Sequence, residues 1–291
     1  LIKRKKMLLY KQIKTINKEF ARKKLSKLLK EDIPNGDPTT LAVIKKNETG
    51  KYILSAREEI IFSGSVIIKN IFSNKVNIKM HVKDGDRLGA DTKIAQIDGN
   101  LREILTKERL VLNMIQHMSG IATNTKRYVE KINNNKIKIL DTRKTTPGIR
   151  VFEKHAVYHG GGSNHRLDLS SGVMVKDNHI RQNINEIALR LKKLKNKIPI
   201  QIEIDNIHQI THENTQLVDA FLLDNMKPKE IKQCIDKINK LKKQHNIFIE
   251  VSGGIMLKNL LKFNIDGVNG ISIGALTHQS QSVDIGLDIE V

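Results

Sequence analysis

Tryptophan is absent from this chain of 291 residues, and cysteine occurs once, at Cys234. A lone cysteine excludes an intrachain disulfide and fits a reducing, cytoplasmic setting. Its neighbours, KEIKQCIDKI, place it on the core face of a helix. No apolar run reaches 18 residues, so no membrane span is expected. Aromatic residues make up only 4% and no RNP-type or zinc-finger pattern occurs. The stacking platforms of a dedicated nucleic-acid binder are therefore missing, despite a net charge of +20. The lysines are scattered over helix faces, as in LKKLKNK and KINKLKKQH, rather than gathered into one footprint. Attraction to an anionic substrate stays open. The ten histidines show no HExxH or cysteine-rich spacing, so zinc is not expected. The start, LIKRKKMLLYKQIK, lacks the sustained apolar region and cleavage site of a secretory signal. It reads as an exposed or weakly helical lead-in, within which Met7 can serve as the natural start.

From residue 136 onward the chain alternates short apolar runs with amphipathic stretches. The runs are KIKIL ending at Asp141, GVMV at Lys176, IPIQIEI around Glu203, DAFLL at Asp224, IFIEV at Ser252 and GISI at Gly274. Successive ends fall 21 to 35 residues apart, the interval of a βα unit. Between them, NINEIALRLKKLKNK puts Ile184, Ile187, Ala188, Leu191 and Leu194 on one helical face, and KEIKQCIDKINKL does the same with Ile231, Ile235, Ile238 and Leu241. This is a parallel α/β pattern of the barrel type, in which all carboxyl ends of the strands open on one face. Polar residues far apart in sequence should converge there.

The first third differs. KYILSA, VNIKMHV and TKIAQID read as alternating strands punctuated by KDGD and DGN turns, with a helix over SVIIKNIF. A helical stretch follows from Leu101 to about Asn133, striped by Ile104, Leu105, Leu112 and Ile115 and broken by the Ser119-Gly120 pair. The expected division is residues 1–126 as a small α/β sandwich, 127–278 as the barrel, and 279–291 returning to the first domain.

Arg109, Arg143, Lys144, His165, Arg166 and Lys176 form a set of cations that would repel one another unless an anion lay between them. A substrate with several carboxylates or phosphates fits, since Arg forks grip carboxylate oxygens and Lys adds a point charge. The glycine run in GGGSNHR at 160–166 can turn its amides into an anion nest, although such triplets are also ordinary turns. Ser252, Gly253 and Gly254, together with Gly274, end late strands, where a phosphate cradle is common. Glu203 and Asp224 are the best carboxylate pair for Mg²⁺, which binds one or two carboxylates plus substrate phosphates; neutralising the cations is the plainer alternative.

Taken in order, EDIPNGDPTT, KERLVLNMIQHMSGIAT, DTRKTTPGIR, GGGSNHR, KDNHI, IEIDN, LLDNM, SGGI and SIGALTH closely resemble the quinolinate phosphoribosyltransferase family. The likeness runs from about residue 31 to 289. It implies an N-terminal α/β sandwich joined to an incomplete parallel β/α barrel. It also implies a dimer or dimer of dimers, and transfer of phosphoribosyl from 5-phosphoribosyl 1-pyrophosphate to quinolinate with loss of CO₂. By the same resemblance Thr142, Arg143, Lys144, His165, Arg166 and Lys176 line the anionic site, with Arg109 entering from the partner subunit. Glu203 and Asp224 serve the ribose and Mg²⁺, and Ser252, Gly253, Gly254, Ile273, Gly274, Ala275 and His278 the phosphate side. Lys144, Lys176, Glu203 and Asp224 are the expected catalytic set. Three positions depart from the family pattern: Pro38 in the GD-x-T segment, His159 before the glycine run, and Asp168 where glycine is common. The rival readings are a related phosphoribosyltransferase with another acceptor and a non-catalytic, basic RNA-binding protein.

Overall fold

The computed structural model describes residues 9–176, 179, 190–195, 197–242 and 246–290. Its helices, in chain order, are α1 (Lys18–Asp32), α2 (Pro38–Val43), α3 (Ser65–Ile71), α4 (Leu101–Ile132), α5 (Arg150–His159), α6 (His212–Leu217), α7 (Pro228–Leu241) and α8 (Ala275–His278). The strands are β1 (Thr49–Ala56), β2 (Ile60–Ile61), β3 (Val76–Met80), β4 (Arg87–Leu88), β5 (Lys93–Asn100), β6 (Lys138–Leu140), β7 (Val173–Val175), β8 (Ile200–Ile204), β9 (Ala220–Asp224), β10 (Phe248–Ser252), β11 (Gly270–Ser272) and β12 (Ile285–Ile289). The chain divides into two compact units: residues 13–126, 151–161 and 279–291 in a sandwich unit, and 1–12, 127–150 and 162–278 in a barrel unit.

The sandwich unit is built on an antiparallel sheet of order β12-β1-β5-β3. Side chains alternate between faces along a strand, so Tyr52, Leu54 and Ala56 share a face. In register with them stand Ile97 and Ala95 of β5, then Ile78 and Met80 of β3, and Leu287 and Ile285 of β12. The KDGD turn forms as expected, with the Asp86 amide donating to the Lys83 carbonyl. DGN does not turn. Asp98, Gly99 and Asn100 are the last residues of β5, and Asn100 then accepts the Glu103 amide and starts α4 directly. Gly99 holds φ at +152° in the ladder, where a Cβ would stand 2.3 Å from the Lys75 carbonyl oxygen.

Helix α4 is continuous through Ser119-Gly120, where a break was expected. Glycine costs helix stability in isolation, but here it admits a close neighbour: a Cβ at Gly120 would lie 2.0 Å from the carbonyl oxygen of Gln281. Ser119 reinforces the site by accepting the Ser63 amide and donating to the Ser63 carbonyl. Pro38 occupies the first turn of α2 behind the N-cap Asp37, a position where its missing N–H costs nothing. Asp37 in turn accepts from the Thr40 amide and hydroxyl.

The barrel unit carries a six-stranded parallel sheet of order β6-β11-β10-β9-β8-β7. It is the parallel β/α arrangement that the strand spacing predicted, left incomplete as the family resemblance implied, with β6 and β7 at its two edges. Ile200, Ile202 and Ile204 of β8, Phe221 and Leu223 of β9, and Ile249 and Val251 of β10 are buried on the outer, helix-facing side. Helix α7 buries Ile231, Cys234, Ile235 and Ile238, the i, i+3, i+4, i+7 stripe of an amphipathic helix, and each fully buried isoleucine contributes about 1.5–3 kcal/mol. Its start is fixed by Pro228 in the first turn and by Glu230 accepting the Lys227 amide. Of the other predicted helical face, Ile184, Ile187 and Ala188 lie outside the described residues, while residues 190–192 are helical. Among the described residues no helix is long and apolar enough to cross a membrane.

Gly120→Ala is expected to destabilise the protein by about 1–3 kcal/mol through overpacking against Gln281, read as a drop in thermal midpoint. Gly89→Ala, where an added Cβ meets nothing within 4 Å, should stay within about 0.5 kcal/mol of the parent.

Candidate active site

Strand register alone decides which side chains enter the barrel. Neighbouring residues in a parallel ladder point the same way, and β8 pairs Gln201 with Ala220 and Glu203 with Leu222 of β9. Strand β9 pairs Leu222 with Glu250 and Asp224 with Ser252 of β10, and Met174 of β7 pairs with Gln201. One more step along β7 brings Lys176 level with Glu203, and its Nζ donates to Glu203 Oε2 at 2.5 Å. At the same carboxyl edge Asp224 takes a hydrogen bond from the amide of Asn225, 2.7 Å away, and Asn225 itself donates its backbone N–H to the Ser252 carbonyl. Asn225 holds a left-handed φ of 55°, and Gly253, at φ 103°, gives it room: a Cβ there would stand 2.2 Å from the Asn225 side-chain oxygen.

The segment after β6 supplies the exposed cations. Thr142 Oγ1 accepts the Lys144 amide, which sets the turn that carries Arg143 and Lys144 outward. Among the described residues neither side chain has a carboxylate partner. Lys144 packs toward Gly274, where a Cβ would lie 2.9 Å from Lys144 Cδ and 3.1 Å from His278 Nε2, so the glycine makes the space that the lysine and histidine share. Thr277 anchors the pair by donating to the Lys144 carbonyl. Ile273 is buried and gives its amide to the Leu140 carbonyl, tying β11 to β6; Ala275 and His278 lie in the single turn of α8, with His278 exposed. Ser252 ends β10 and Gly253 and Gly254 follow it; Gly254, at φ 58°, faces open space. Arg150, close behind the cations in sequence, is structural, bonding Thr145 Oγ1 and the Leu167 carbonyl.

The glycine run is not an anion nest. The amides of Gly160 and Gly161 close the end of α5 by donating to Ala156 and Tyr158 carbonyls. Those of Ser163, Asn164 and His165 go to the Ile139 carbonyl, the Gln12 side chain and Asp141. Asp141, fully buried, takes the His165 amide on one oxygen and the Asn164 side-chain amide on the other. It orients the Asn-His-Arg segment rather than meeting a ligand. Arg166 is 7% exposed, donates to the Gly172 carbonyl, and is held below its ordinary pKa by burial first and by the neighbouring charge of Arg143 among lesser causes. Asp168, the departure from glycine, builds its own turn by accepting the amides and hydroxyls of Ser170 and Ser171.

His165 does not stand with the free cations. Its Nδ1 accepts the Arg166 amide at 2.7 Å and therefore carries a lone pair, leaving Nε2–H to point at Gln201 Oε1 (3.2 Å) and Glu250 Oε2 (3.4 Å). Gln201 donates to Glu250 at 2.8 Å, and the Ser272 hydroxyl donates to its other oxygen. Burial alone would raise the carboxyl pKa of Glu250, but the His165, Ser272 and Gln201 contacts hold it below the usual range. Over this network lies Tyr10, its ring centroid 4.6 Å from that of His165 and its hydroxyl donating to Gln201. Burial, then the Glu250 charge, push its phenol pKa well up. Gln12 exchanges two hydrogen bonds with the Asn164 backbone. Residues 10–12 are thus not helical: Lys11 is exposed as expected, but Tyr10 and Gln12 are half-buried and belong to the barrel unit. Gln201, Glu250 and Tyr10 were missed in the sequence, although a Gln two before Glu203 and a Glu inside the apolar run IFIEV were visible signals.

Arg109 is an exposed residue of α4 in the sandwich unit. For Mg²⁺, Asp224 suits a hard cation, being at a strand end with one oxygen bonded by Asn225, whereas Glu203 already meets Lys176.

Two family models cover nearly the whole chain: the quinolinate phosphoribosyl transferase N-terminal domain over residues 37–119 and its C-terminal domain over 121–288. The probable nicotinate-nucleotide pyrophosphorylase (carboxylating) of Bacillus subtilis is 40% identical over 92% of this chain and 93% of its own length. The solved nicotinate-nucleotide pyrophosphorylase of Francisella tularensis superposes with a TM-score of 0.87 at 31% identity, covering 97% of this chain and all of that one. The one from Ehrlichia chaffeensis gives 0.85 at 37%, over 95% of this chain and 100% of its own. The chain belongs to the quinolinate phosphoribosyl transferase family.

Proposed function

We propose that this chain is a carboxylating nicotinate-nucleotide pyrophosphorylase, a pentosyltransferase of NAD biosynthesis that converts quinolinate and 5-phosphoribosyl 1-pyrophosphate to nicotinate mononucleotide, pyrophosphate and CO₂. What supports the reading is that Arg143, Lys144, Arg166 and Lys176 follow strands of one parallel sheet whose carboxyl edge also carries Glu203 and Asp224, with Lys176 bonded to Glu203, in a chain of this family. Quinolinate has two adjacent carboxylates. A cation cluster of fixed geometry both neutralises them and aims the ring nitrogen at the sugar carbon. Arg166, buried and braced by Gly172, is the most rigid of the set, and Arg143 and Lys144 are free to close on a ligand.

In the transfer step the ring nitrogen forms a bond to C1′ of the ribose while the C1′–oxygen bond breaks, its electron pair leaving with pyrophosphate. The sugar is cationic in passing, and Glu203 or Asp224 offers the negative charge to stabilise it. In the second step the bond from ring carbon 2 to its carboxylate breaks, CO₂ leaves, the electron pair stays on the carbon beside the now cationic nitrogen, and a proton is taken up there. Lys176, levelled with Glu203 by strand register, is positioned to stabilise that carbanion-like stage. Mg²⁺, held through Asp224 with Glu203 near, would neutralise charge on the pyrophosphate leaving group. Arg109, exposed on α4, completes the anion site from a partner subunit in a homodimer or a dimer of dimers, and the enzyme works in the cytoplasm.

A coupled assay with quinolinate, 5-phosphoribosyl 1-pyrophosphate and Mg²⁺ should release nicotinate mononucleotide and CO₂ in equal amounts. No product from a folded protein that is still stabilised by the sugar pyrophosphate would mean a different acceptor. Lys176→Ala should slow CO₂ release by roughly 100-fold, the scale of losing one donor to a developing negative charge; an unaltered decarboxylation rate removes Lys176 from that role. Arg109→Ala and Lys144→Ala chains, each inactive alone, should regain partial activity when mixed. Demonstrated subunit exchange without recovery would put the whole site in one chain.

A further inference from the structure

The turn between β3 and β4 carries Asp84, and α5 carries His155 and His159, four residues apart and so on one helical face. All three belong to the sandwich unit. Their ligand atoms lie within 4.8 Å of one another. The sequence search for HExxH passed over this pair, and the third member comes from a different part of the chain.

The hydrogen bonds around the rings assign their lone pairs. His155 Nδ1 is 3.1 Å from the Ile13 carbonyl oxygen, and His159 Nε2 is 3.2 Å from the Lys14 carbonyl oxygen. A carbonyl only accepts, so each of these nitrogens carries a proton, and in a neutral ring the opposite nitrogen is left with its lone pair. Metal-binding histidines are oriented in the same way, through a second ring nitrogen that donates to a carbonyl or carboxylate. Here two successive backbone carbonyls do it for both.

The lone-pair side is built for a ligand. His155 is 3% exposed, yet its Nε2 has no hydrogen-bond partner, and an orphaned buried nitrogen is costly. It stands 3.5 Å from Asp84 Oδ2, too far for a good hydrogen bond. Two donors bound at about 2.0–2.1 Å to one tetrahedral ion sit roughly 3.4 Å apart. His159 presents its Nδ1 toward Gly85 of the same turn, where an added Cβ would be 3.6 Å from that nitrogen. Asp84 Oδ1 accepts the Gly64 and Ser65 amides and its Oδ2 accepts the Ser65 hydroxyl, which fixes the carboxylate and leaves Oδ2 with a further lone pair. Burial, then the neighbouring His155, lower the pKa of His159 against the raising effect of the Asp84 charge and of the Lys14 and Asp84 backbone, while the nearby His155 and the Ser65 and Gly64 donors outweigh burial and depress that of Asp84.

We propose that Asp84 Oδ2, His155 Nε2 and His159 Nδ1 form a divalent transition-metal site of the zinc type, with a fourth position open to water. Two borderline imidazoles joined by one carboxylate are a donor set that suits zinc, whereas Mg²⁺ and Ca²⁺ prefer oxygen ligands throughout. The ion would tie α5, the β3–β4 turn that caps α3, and the stretch at Ile13–Lys14 into one fixed corner of the sandwich unit. The role is structural, and it concerns a different metal from the one the reaction uses.

The test uses the full chain, stripped with a chelator and titrated with Zn²⁺, then with Co²⁺ as a spectroscopic probe. Expected are one tightly held Zn²⁺ per chain, a thermal midpoint that rises with added Zn²⁺, and a visible Co²⁺ spectrum of tetrahedral intensity. His159→Ala, at a half-buried position, should weaken Zn²⁺ binding by more than the roughly 10–100-fold seen when only a ligand's supporting partner is lost. It should also abolish the Co²⁺ band while keeping the metal-free midpoint close to that of the parent. His212→Ala, at an exposed histidine of α6, controls for surface binding and should change nothing. Should His159→Ala fail to fold, Asp84→Asn, which keeps the oxygen and the shape, reports instead and should lower affinity in the same way. Equal Zn²⁺ binding by parent and variants, or no binding above that of surface histidines, overturns the site and leaves only the 3.5 Å contact of His155 with Asp84.

Discussion

A carboxylate with no access to water organises the barrel unit. Glu250 sits mid-strand in β10, 1% exposed, and a buried charge survives only if its oxygens are fully bonded. Its three partners come from separate elements: Ser272 on β11, Gln201 on β8 and His165 in the loop after α5. Satisfying one group therefore fixes the relative placement of two strands and a loop. His165 in turn accepts the Arg166 amide, so the rigidity passes to a cation of the site. Asp141 repeats the device one turn away, bonding the other side of the same loop. The candidate site residues stand on a scaffold whose polar interior permits few alternative arrangements.

Much of this was legible in the sequence, for identifiable reasons. Parallel strands buried on both faces are short runs of Ile, Val and Leu, and each ended at a polar or glycine residue where the sheet's carboxyl edge begins; Asp141, Lys176, Asp224, Ser252 and Gly274 all mark such ends. Alternation then says which face each residue takes, but that Lys176 stands level with Glu203 is known only from the observed pairing of β7 with β8. The misreadings share a different cause. Ser119-Gly120 breaks a helix by propensity, but contact with Gln281, more than 160 residues on, reverses the sign. DGN is a turn by composition and a strand end by pairing with Val76 and Lys75.

Tyr10 shows the limit most plainly. A single aromatic in a lysine-rich stretch has no periodicity to read, and its partners His165, Gly172 and Gln201 lie more than 150 residues away. The same holds for Asp84 with His155 and His159: the i, i+4 histidines can be seen in HAVYH, while the carboxylate that gives them meaning cannot. Local chemistry is written in sequence order, and closure of a seam or a ligand set is not.

The pairing of β1 with β12 has a bearing on how the protein is made. Tyr52 meets Ile289 in that ladder, so the outer edge of the first sheet stays unsatisfied until residues some 230 positions later have been synthesised. At about 5–20 residues per second that is an interval of roughly 12–46 s on the ribosome. Throughout it β1 offers an open row of backbone donors and acceptors beside the apolar Tyr52, Leu54 and Ala56, the template on which other nascent chains pair wrongly. The sandwich unit is the first to emerge and among the last to be finished, which makes the nascent chain a client for holding chaperones to a degree that the stability of the completed enzyme would not reveal.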